Sequence, residues 1–471
     1  MQSTTRFYPD PYYNYEILKS LVEPTRVHRD VYISEEIFAL EMKRIWGQAW
    51  IYVGHESQVK SPGDYITTVI GQTPVVMVRD IKNNDINVLL NRCGHRGAQV
   101  CQARNGSATN GIFRCPYHGW RFRTDGLLYS QPNPAGYKDV GFDKNNHAFG
   151  MLSLPKVERY RGFVFACLAE EGPTLRTFLG EICDTIDNMV DRAPEGQVEV
   201  VGKTCHRFRH PVNWKFFTEN LHDAMHPMVA HAGTTDAVRQ YLKQLPQDYG
   251  SIPEIEVIAP FGTSYDFFDD MGFVGLPYGH AYMGGKKNIF SHYKIYQNYL
   301  KKMENTLGGK KGIFGHHELY PGYIEKLGRI HGRNRTGEIL SFNRHNSLIY
   351  PSCTIRSNIP SVRVVIPVSV NETIIESWTF RLKGAPAKIL ERTLRYSRLI
   401  NSPASMIGPD DLDCYIRIQE SAAAGVIDWI DMHRHFGKEE YDGEKSTAIG
   451  TSDLALRNQY TAWLEYMAKA Q

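Results

Sequence analysis

The chain has 471 residues, with 54 basic against 51 acidic side chains and a formal net charge of +3. That balance leaves no basic field of the kind that marks a nucleic-acid binder, and 42% hydrophobic residues are too many for a disordered chain. No apolar run approaches the roughly 18–20 residues of a membrane-spanning helix, and the opening residues 1–10 lack the apolar core of a secretory signal, so the expected compartment is the cytoplasm.

In chain order, the pattern first predicts an amphipathic helix over 34–46. Ser34 is its N-cap, Glu35 and Glu36 complement the dipole, and Phe38, Met42, Ile45 and Trp46 share a face before Gly47. Short strands are expected at 50–53, 65–70, 74–79, 86–90, 120–123, 127–129 and 162–168, with Thr124-Asp125-Gly126 as a hairpin turn. This is the texture of a small all-β unit. After Gly172-Pro173 the helical period returns. Thr174 caps a stripe of Leu175, Phe178, Leu179, Ile182, Ile186 and Met189. A strand is expected near 198–209. Residues 240–335, rich in Gly, Tyr and Lys with weak periodicity, read as long loops and short elements that cover a substrate. Strands follow at 346–350, 361–369 and 373–382, then helices at 386–400 and 409–424, the latter opening on Pro409. The organisation is α+β, a β domain set into a larger domain.

The eight cysteines are too sparse for a disulfide scaffold, and a cytosolic chain keeps them reduced. They are clumped: Cys93, Cys101 and Cys115 lie within 23 residues, and His206, His210, His222, His226 and His231 within 26. Clumped Cys and His in a reduced compartment point to metal. The first cluster is Cys93-Gly94-His95, nineteen residues, then Cys115-Pro116-Tyr117-His118. Structural zinc sites usually pair Cys with Cys and His with His. One Cys and one His from each loop suit a Rieske [2Fe–2S] centre, where one iron takes two thiolates and the other two imidazoles. Cys101 reads as a small buried residue, as do the remaining cysteines.

The second cluster runs from Asn213 to His231. Spacing slightly favours His222 with His226, and Asp223 with His226 or His226 with His231 can also chelate. The last pair needs the helix unwound, which Pro227 favours. His206 and His210 read as surface or supporting residues.

The two Cys/His loops resemble the Rieske fingerprint. The run Asn213-Trp214-Lys215 and then Glu219-Asn220-x-x-Asp223-x-x-His226-x-x-x-x-His231 is similar to the mononuclear-iron motif of the aromatic-ring-hydroxylating Rieske oxygenases. The likeness extends over about residues 35–425. It implies Cys93, His95, Cys115 and His118 as cluster ligands and His226 and His231 as Fe(II) ligands, and it leaves His222 as a surface or supporting residue. It implies Asp223 as the bridge to His118 of a neighbouring subunit. The third iron ligand falls in Gly408-Pro409-Asp410-Asp411-Leu412-Asp413, with Asp411 preferred over Asp410 and Asp413 last. Two His and a carboxylate form the facial triad of non-haem Fe(II) oxygenases.

The resemblance further implies an N-terminal helical part (1–45), a Rieske domain (46–168) and a catalytic domain (169–471) whose antiparallel sheet is covered by helices in a helix-grip, START-like fold. It implies a terminal oxygenase subunit that inserts O2 into an aromatic ring with electrons from NADH. These arrive through a separate flavin reductase, with or without a ferredoxin; no complete Gly-x-Gly-x-x-Gly fingerprint occurs here. The implied assembly is a homotrimer, or α3β3 with a small β subunit, with no nucleic-acid or membrane partner. Length and the Pro409–Leu412 turn look like the benzoate/anthranilate/salicylate branch, so the expected substrate is an aromatic carboxylate, with Arg333, Arg335, Arg356 and Arg363 as candidate partners. A hydrocarbon dioxygenase, a monooxygenase and a demethylase stand beside this within the family. Outside it stand a Rieske electron carrier and a zinc-stabilised binding module, both of which leave the second cluster unused.

Overall fold

The computed structural model describes residues 13–468, except 203–204, 235, 238–239, 241–264, 285–320, 343 and 406. Two antiparallel β systems organise them. The smaller comprises three sheets between Ile51 and Cys167. One orders Ile86–Leu90, Thr73–Arg79, Asp64–Ile70 and Asn105–Ser107. A second orders Leu128–Ser130, Arg121–Arg123 and Ile112–Arg114. The third orders Lys156–Tyr160, Phe163–Cys167 and Ile51–His55. The first two enclose a core of their own, in which Val76, Leu89, Phe113, Trp120 and Phe122 pack around Cys93 and Cys115. The third belongs to the main core, through Ile51, Val53, Phe163 and Phe165.

The larger system is a ten-stranded antiparallel sheet. Its order is Val198–Val200, Glu372–Leu382, Ser361–Ser369, Cys353–Arg356, His345–Ile349, Ala281–Met283, Phe273–Gly275, Lys445–Ala448 and Glu440–Asp442, with His206–His210 also on Glu372–Leu382. Trp214 and Phe216, Tyr415, and Tyr460 and Trp463 come from the helices Trp214–Asn220, Gly408–Ala424 and Leu454–Met467. They share one core with Val362, Val365 and Ile375 of the sheet. The α+β class read from the sequence is the class found. No helix among the described residues is long and apolar enough to cross a membrane.

The expected helix at 34–46 forms as Glu35–Arg44, and Ser34 Oγ accepts the Ile37 N–H at 3.2 Å. Its inner face carries a charge. Glu41 is fully buried. Its carboxylate accepts from Lys215 Nζ at 2.6 Å, Trp463 Nε1 at 2.7 Å and Trp214 Nε1 at 2.9 Å. Helices from three distant parts of the chain therefore meet on one carboxylate, with every strong donor satisfied.

The structure departs from the periodicity in several places. The stripe after Thr174 stays buried but is not one helix. Gly180, at φ +48°, divides it into Leu175–Leu179, a 3-10 turn and Cys183–Asp191. The single strand at 198–209 is two, with Gly202 at φ +71° between them, and both pair with Glu372–Leu382. Strands Asn105–Ser107, Ile112–Arg114, Lys156–Tyr160 and Cys353–Arg356 carry no sequence expectation, nor does the helix Leu454–Met467. Lys156–Tyr160 is an edge strand whose Lys, Glu and Arg hide its β character. Of the loops expected over 240–335, residues 241–264 and 285–320 lie outside the described residues. Elsewhere that stretch is regular, with helices Tyr265–Met271, Pro321–His331 and Arg333–Ser341 and strands Phe273–Gly275 and Ala281–Met283.

Candidate metal centres

The two Cys/His loops are tight turns. Cys93 N–H donates to Ala98 O and Gly97 N–H to Cys93 O. In the second loop Cys115 N–H donates to Trp120 O and Gly119 N–H to Cys115 O. Gly94 is required by crowding, since a Cβ there would lie 2.4 Å from the backbone carbonyl of Phe149. The thiols of Cys93 and Cys115 are buried and face each other, and burial together with Cys115 pushes the Cys93 thiol up. His95 and His118 form the outer end, with ring centroids 4.8 Å apart, and His95 stacks on Trp120 at 4.9 Å. His95 is exposed and His118 half-buried.

This is two pairs rather than one tetrahedron. Donors around a single zinc lie roughly 3.3–3.8 Å apart, as ligand bonds of about 2.0–2.3 Å require. Among the described residues, the one group of three or more Cys, His, Asp or Glu with all donor atoms within 4.8 Å of one another is His226, His231 and Asp411. The Cys/His quartet is more spread out, with sulfurs inside and imidazoles outside, which fits a binuclear cluster.

The second centre begins at the helix Trp214–Asn220, capped by Asn213 Oδ1, which accepts the Lys215 N–H at 3.2 Å. That helix stops before His222, so His222 and His226 never share a helical face. His222 turns away instead. It is buried, its Nε2–H donates to the Asn346 carbonyl at 2.7 Å, and burial lowers it to about 4. The chain restarts as the short helix Pro227–Ala230, with His226 at its N-cap and His231 at its C-cap. The interruption brings the two rings to 5.3 Å between centroids. Both Nε2 atoms converge on one oxygen. Asp411 Oδ1 lies 3.3 Å from His226 Nε2 and 3.2 Å from His231 Nε2.

The three late acids separate by position. Asp411 joins the trio. Asp410 Oδ2 lies 3.1 Å from His231 Nδ1, where it fixes the ring. Asp413 pairs with Arg417 at 2.7 Å on the surface. Asp223 Oδ1 accepts the backbone N–H groups of Met225 at 2.6 Å and His226 at 3.3 Å, while the His226 ring Nδ1 stands off at 3.9 Å. Burial alone would raise Asp411, but His226 and His231 hold it well below the carboxylate range. Burial alone would lower His226, but Asp223 and Asp411 raise it to about 9. The trio therefore attracts positive charge, which is what a cation site requires. Two imidazoles and one carboxylate fit Fe(II) better than the all-oxygen sets of Mg²⁺ or Ca²⁺.

Asn220 joins this centre without having been assigned a role from the sequence. Its Nδ2 is 3.2 Å from both His226 Nε2 and Asp411 Oδ1. Its place at the last turn before the break was the available signal. The trio borders a cavity of about 430 Å³, with apolar walls including Phe208, Phe217, Ile375 and Leu412. Arg356 and Arg363 also line it, as does buried His210, while Arg333 and Arg335 sit exposed on the outer helix Arg333–Ser341. His206 lies half-buried on its strand. Cys101, Cys167, Cys183 and Cys353 are buried as expected, whereas Cys205 and Cys414 are only partly so.

Residues 49–142 match the family model for the Rieske [2Fe-2S] domain. The benzene 1,2-dioxygenase alpha subunit of Pseudomonas putida F1 is 30% identical over 451 residues, 94% of this chain and 91% of that one. The toluate 1,2-dioxygenase alpha subunit of Pseudomonas putida is 29% identical over 464 residues, with the same shares covered. A crystal structure of naphthalene 1,2-dioxygenase with indole bound superposes with a TM-score of 0.75. It covers 97% of this chain and 95% of that one at 22% identity, a likeness of fold.

Proposed function

Because the chain belongs to the alpha subunits of the Rieske aromatic-ring-hydroxylating dioxygenases, we propose that its two centres divide the work of one terminal oxygenase. Cys93, His95, Cys115 and His118 hold the [2Fe–2S] cluster. His226, His231 and Asp411 hold the mononuclear iron. When bound, the cluster supplies one-electron transfer and the ferrous ion supplies open positions for O2 chemistry. The observation that carries this reading is the convergence of both Nε2 atoms on Asp411 Oδ1 at the wall of an apolar cavity.

The protein's own groups do the arranging. Asp410 Oδ2 accepts a hydrogen bond from His231 Nδ1–H and so turns the Nε2 lone pair toward the site. Asn220 Nδ2 donates to Asp411 Oδ1 and limits its rotation. His222 and Asn346 anchor the interrupted segment to the sheet, through the 2.7 Å bond and a 2.8 Å bond from Asn346 Nδ2 to Leu221 O. Phe208, Phe217, Ile375 and Leu412 orient an aromatic ring and exclude water.

Electrons reach the family's oxygenases from NADH through a reductase. The assembly proposed here is a closed head-to-tail trimer, with or without a small β subunit, in which Asp223 meets His118 of a neighbouring chain. The partly exposed cluster imidazoles and the half-exposed Asp223 support it. The proposed substrate is an aromatic carboxylate.

The test is reconstitution with iron, a generic reductase and NADH. Ring oxidation of an aromatic panel is expected, with about three irons per chain. H226A should abolish turnover and the mononuclear iron while the Rieske spectrum persists. A colourless protein holding one zinc and no sulfide would overturn the reading.

A further inference from the structure

Among the polar groups on the cavity wall outside the metal trio are Arg356, Arg363 and Ser377. They lie on adjacent strands of the large sheet. Arg363 lies directly opposite Ser377 in the register of Ser361–Ser369 with Glu372–Leu382. Directly paired residues share a face of the sheet, with Cβ atoms about 5 Å apart. Arg363 sits deep in the protein yet keeps accessible surface, and burial lowers it to about 10. Its side-chain hydrogen bond goes to a neutral acceptor, Asn346 Oδ1, at 2.6 Å. Its guanidinium carbon stands 5.5 Å from the centroid of Phe217, another wall residue. Ser377 is 2% exposed, and its Oγ has no hydrogen-bond partner among the described residues. Arg356 donates to the Tyr396 hydroxyl and bonds His345 Nδ1 at 2.8 Å. His345 is neutral at ordinary pH, because burial lowers it to about 3. The carboxylates on the same wall, Asp223 and Asp411, belong to the metal segment.

We propose that Arg363 and Ser377 form the anion subsite of the cavity and fix the carboxylate of a single-ring aromatic acid, with Arg356 adding positive potential behind them. The inference rests on the oxygenase reading and deepens it. A guanidinium and a hydroxyl on one face supply the donors that a carboxylate's two oxygens require. A bound acid would also satisfy the unpartnered Ser377 hydroxyl, and Phe217 and the aliphatic wall would take its ring. Anchoring the acid on the sheet sets which ring carbons face the trio, so Arg363 is a specificity-determining residue.

The experiment has a binding arm and a turnover arm, both on the full chain. Equilibrium dialysis of labelled benzoate, with benzamide as the uncharged control, reads the subsite without turnover. Losing a charge-assisted hydrogen bond should weaken benzoate roughly 10–100-fold in R363Q. S377A should weaken it about 3–10-fold, and R363K should recover part of the loss. Benzamide binding and the oxidation of toluene should change by less than about 3-fold, within the scatter of single-contact effects. An unchanged Rieske spectrum and iron content show that each variant is folded. A purely positioning role, through Asn346, would instead lower iron content and affect benzoate and toluene alike. That result overturns the inference, as does a wild-type protein that binds benzamide as well as benzoate. Arg363-dependent benzoate binding in a protein that oxidises nothing would leave the subsite standing and remove the oxygenase reading.

Discussion

Glu41 offers the sharpest test of how the iron segment is held. It is fully buried, and its two oxygens serve three donors: the Lys215 ammonium and the indoles of Trp214 and Trp463. E41Q keeps the shape but removes the charge. Lys215, itself buried, then becomes an uncompensated cation, which costs about 3–5 kcal/mol. The new amide can also accept on one side only. Because the two indoles use different oxygens, one of them loses its acceptor, at about 1–3 kcal/mol. The double variant E41Q/K215M removes the stranded ammonium and should regain at least about 2 kcal/mol relative to E41Q. The measurement is the urea midpoint by circular dichroism for wild type, both single variants and the double. Lys215 also sits in the helix that delivers Asn220 to the trio, so E41Q should hold mononuclear iron more weakly while the cluster spectrum persists. An E41Q protein within about 0.5 kcal/mol of wild type, or a double variant no more stable than E41Q, would refute the reasoning.

The three late acids should behave differently under metal analysis. D411A should lose the mononuclear iron, D410N should weaken its binding about 10–100-fold through the His231 tautomer, and D413A should change little. His280 supplies a pH test away from both centres. Its Nε2–H donates to Phe178 O at 2.8 Å and its Nδ1 accepts the Tyr350 N–H at 3.0 Å, so only the neutral ring fits. Burial lowers it from 6.5 to about 4. Its stabilising contribution is therefore complete above pH 6.5 and is lost as pH falls through about 4, amounting to about 3 kcal/mol. H280Q should flatten the urea midpoint between pH 6.5 and 4; an unchanged slope would count against the assignment. G94A should drive a methyl into the Phe149 carbonyl and cost most of the visible Rieske absorption, read directly from the purified protein's spectrum.

Most of the proposed metal residues stand out in the sequence because they lie close together and carry few alternative meanings. Spacing marks the Cys93–His118 loops, whereas for His226 and His231 the family likeness reverses a spacing preference for His222 with His226. Asp411 was harder. Three acids on one turn offer the same charge at a helix start, and only folding sends Asp410 to His231 Nδ1 and Asp413 to Arg417. Asn220 stands in the family-like run but carries no role there, because its contacts depend on where the helix breaks. Periodicity found the long strands at 361–369 and 373–382, which are buried and β-branched. It missed three-residue strands such as Ile112–Arg114, where too few residues alternate to give a signal. It also joined the two helices around Gly180, because the buried stripe continues although the backbone does not.

The third small sheet has a further consequence. Ile51–His55, where the chain enters the cluster-bearing part, is hydrogen-bonded side by side with Phe163–Cys167, where it leaves. Both strands are rooted in the main core, and the two cluster loops hang from sheets that share a second core, although Val75, Met77, Ile86 and Val88 of the four-stranded sheet also reach the main one. Adjacent strands in a sheet lie about 4.8 Å apart. The cluster-bearing part thus enters and leaves its host side by side, as in tolerated domain insertions. It is also held by Ile70, Val75, Met77, Ile86 and Val88 in the main core, by Gln72 Nε2 on Val368 O and by Arg104 on Glu376. Entry and exit at one strand pair make it an exchangeable cartridge with one fitted flank. A Rieske module of different redox potential grafted at this strand pair would have to reproduce the Arg104–Glu376 contact, because Glu376 stands between the cavity-wall residues Ile375 and Ser377.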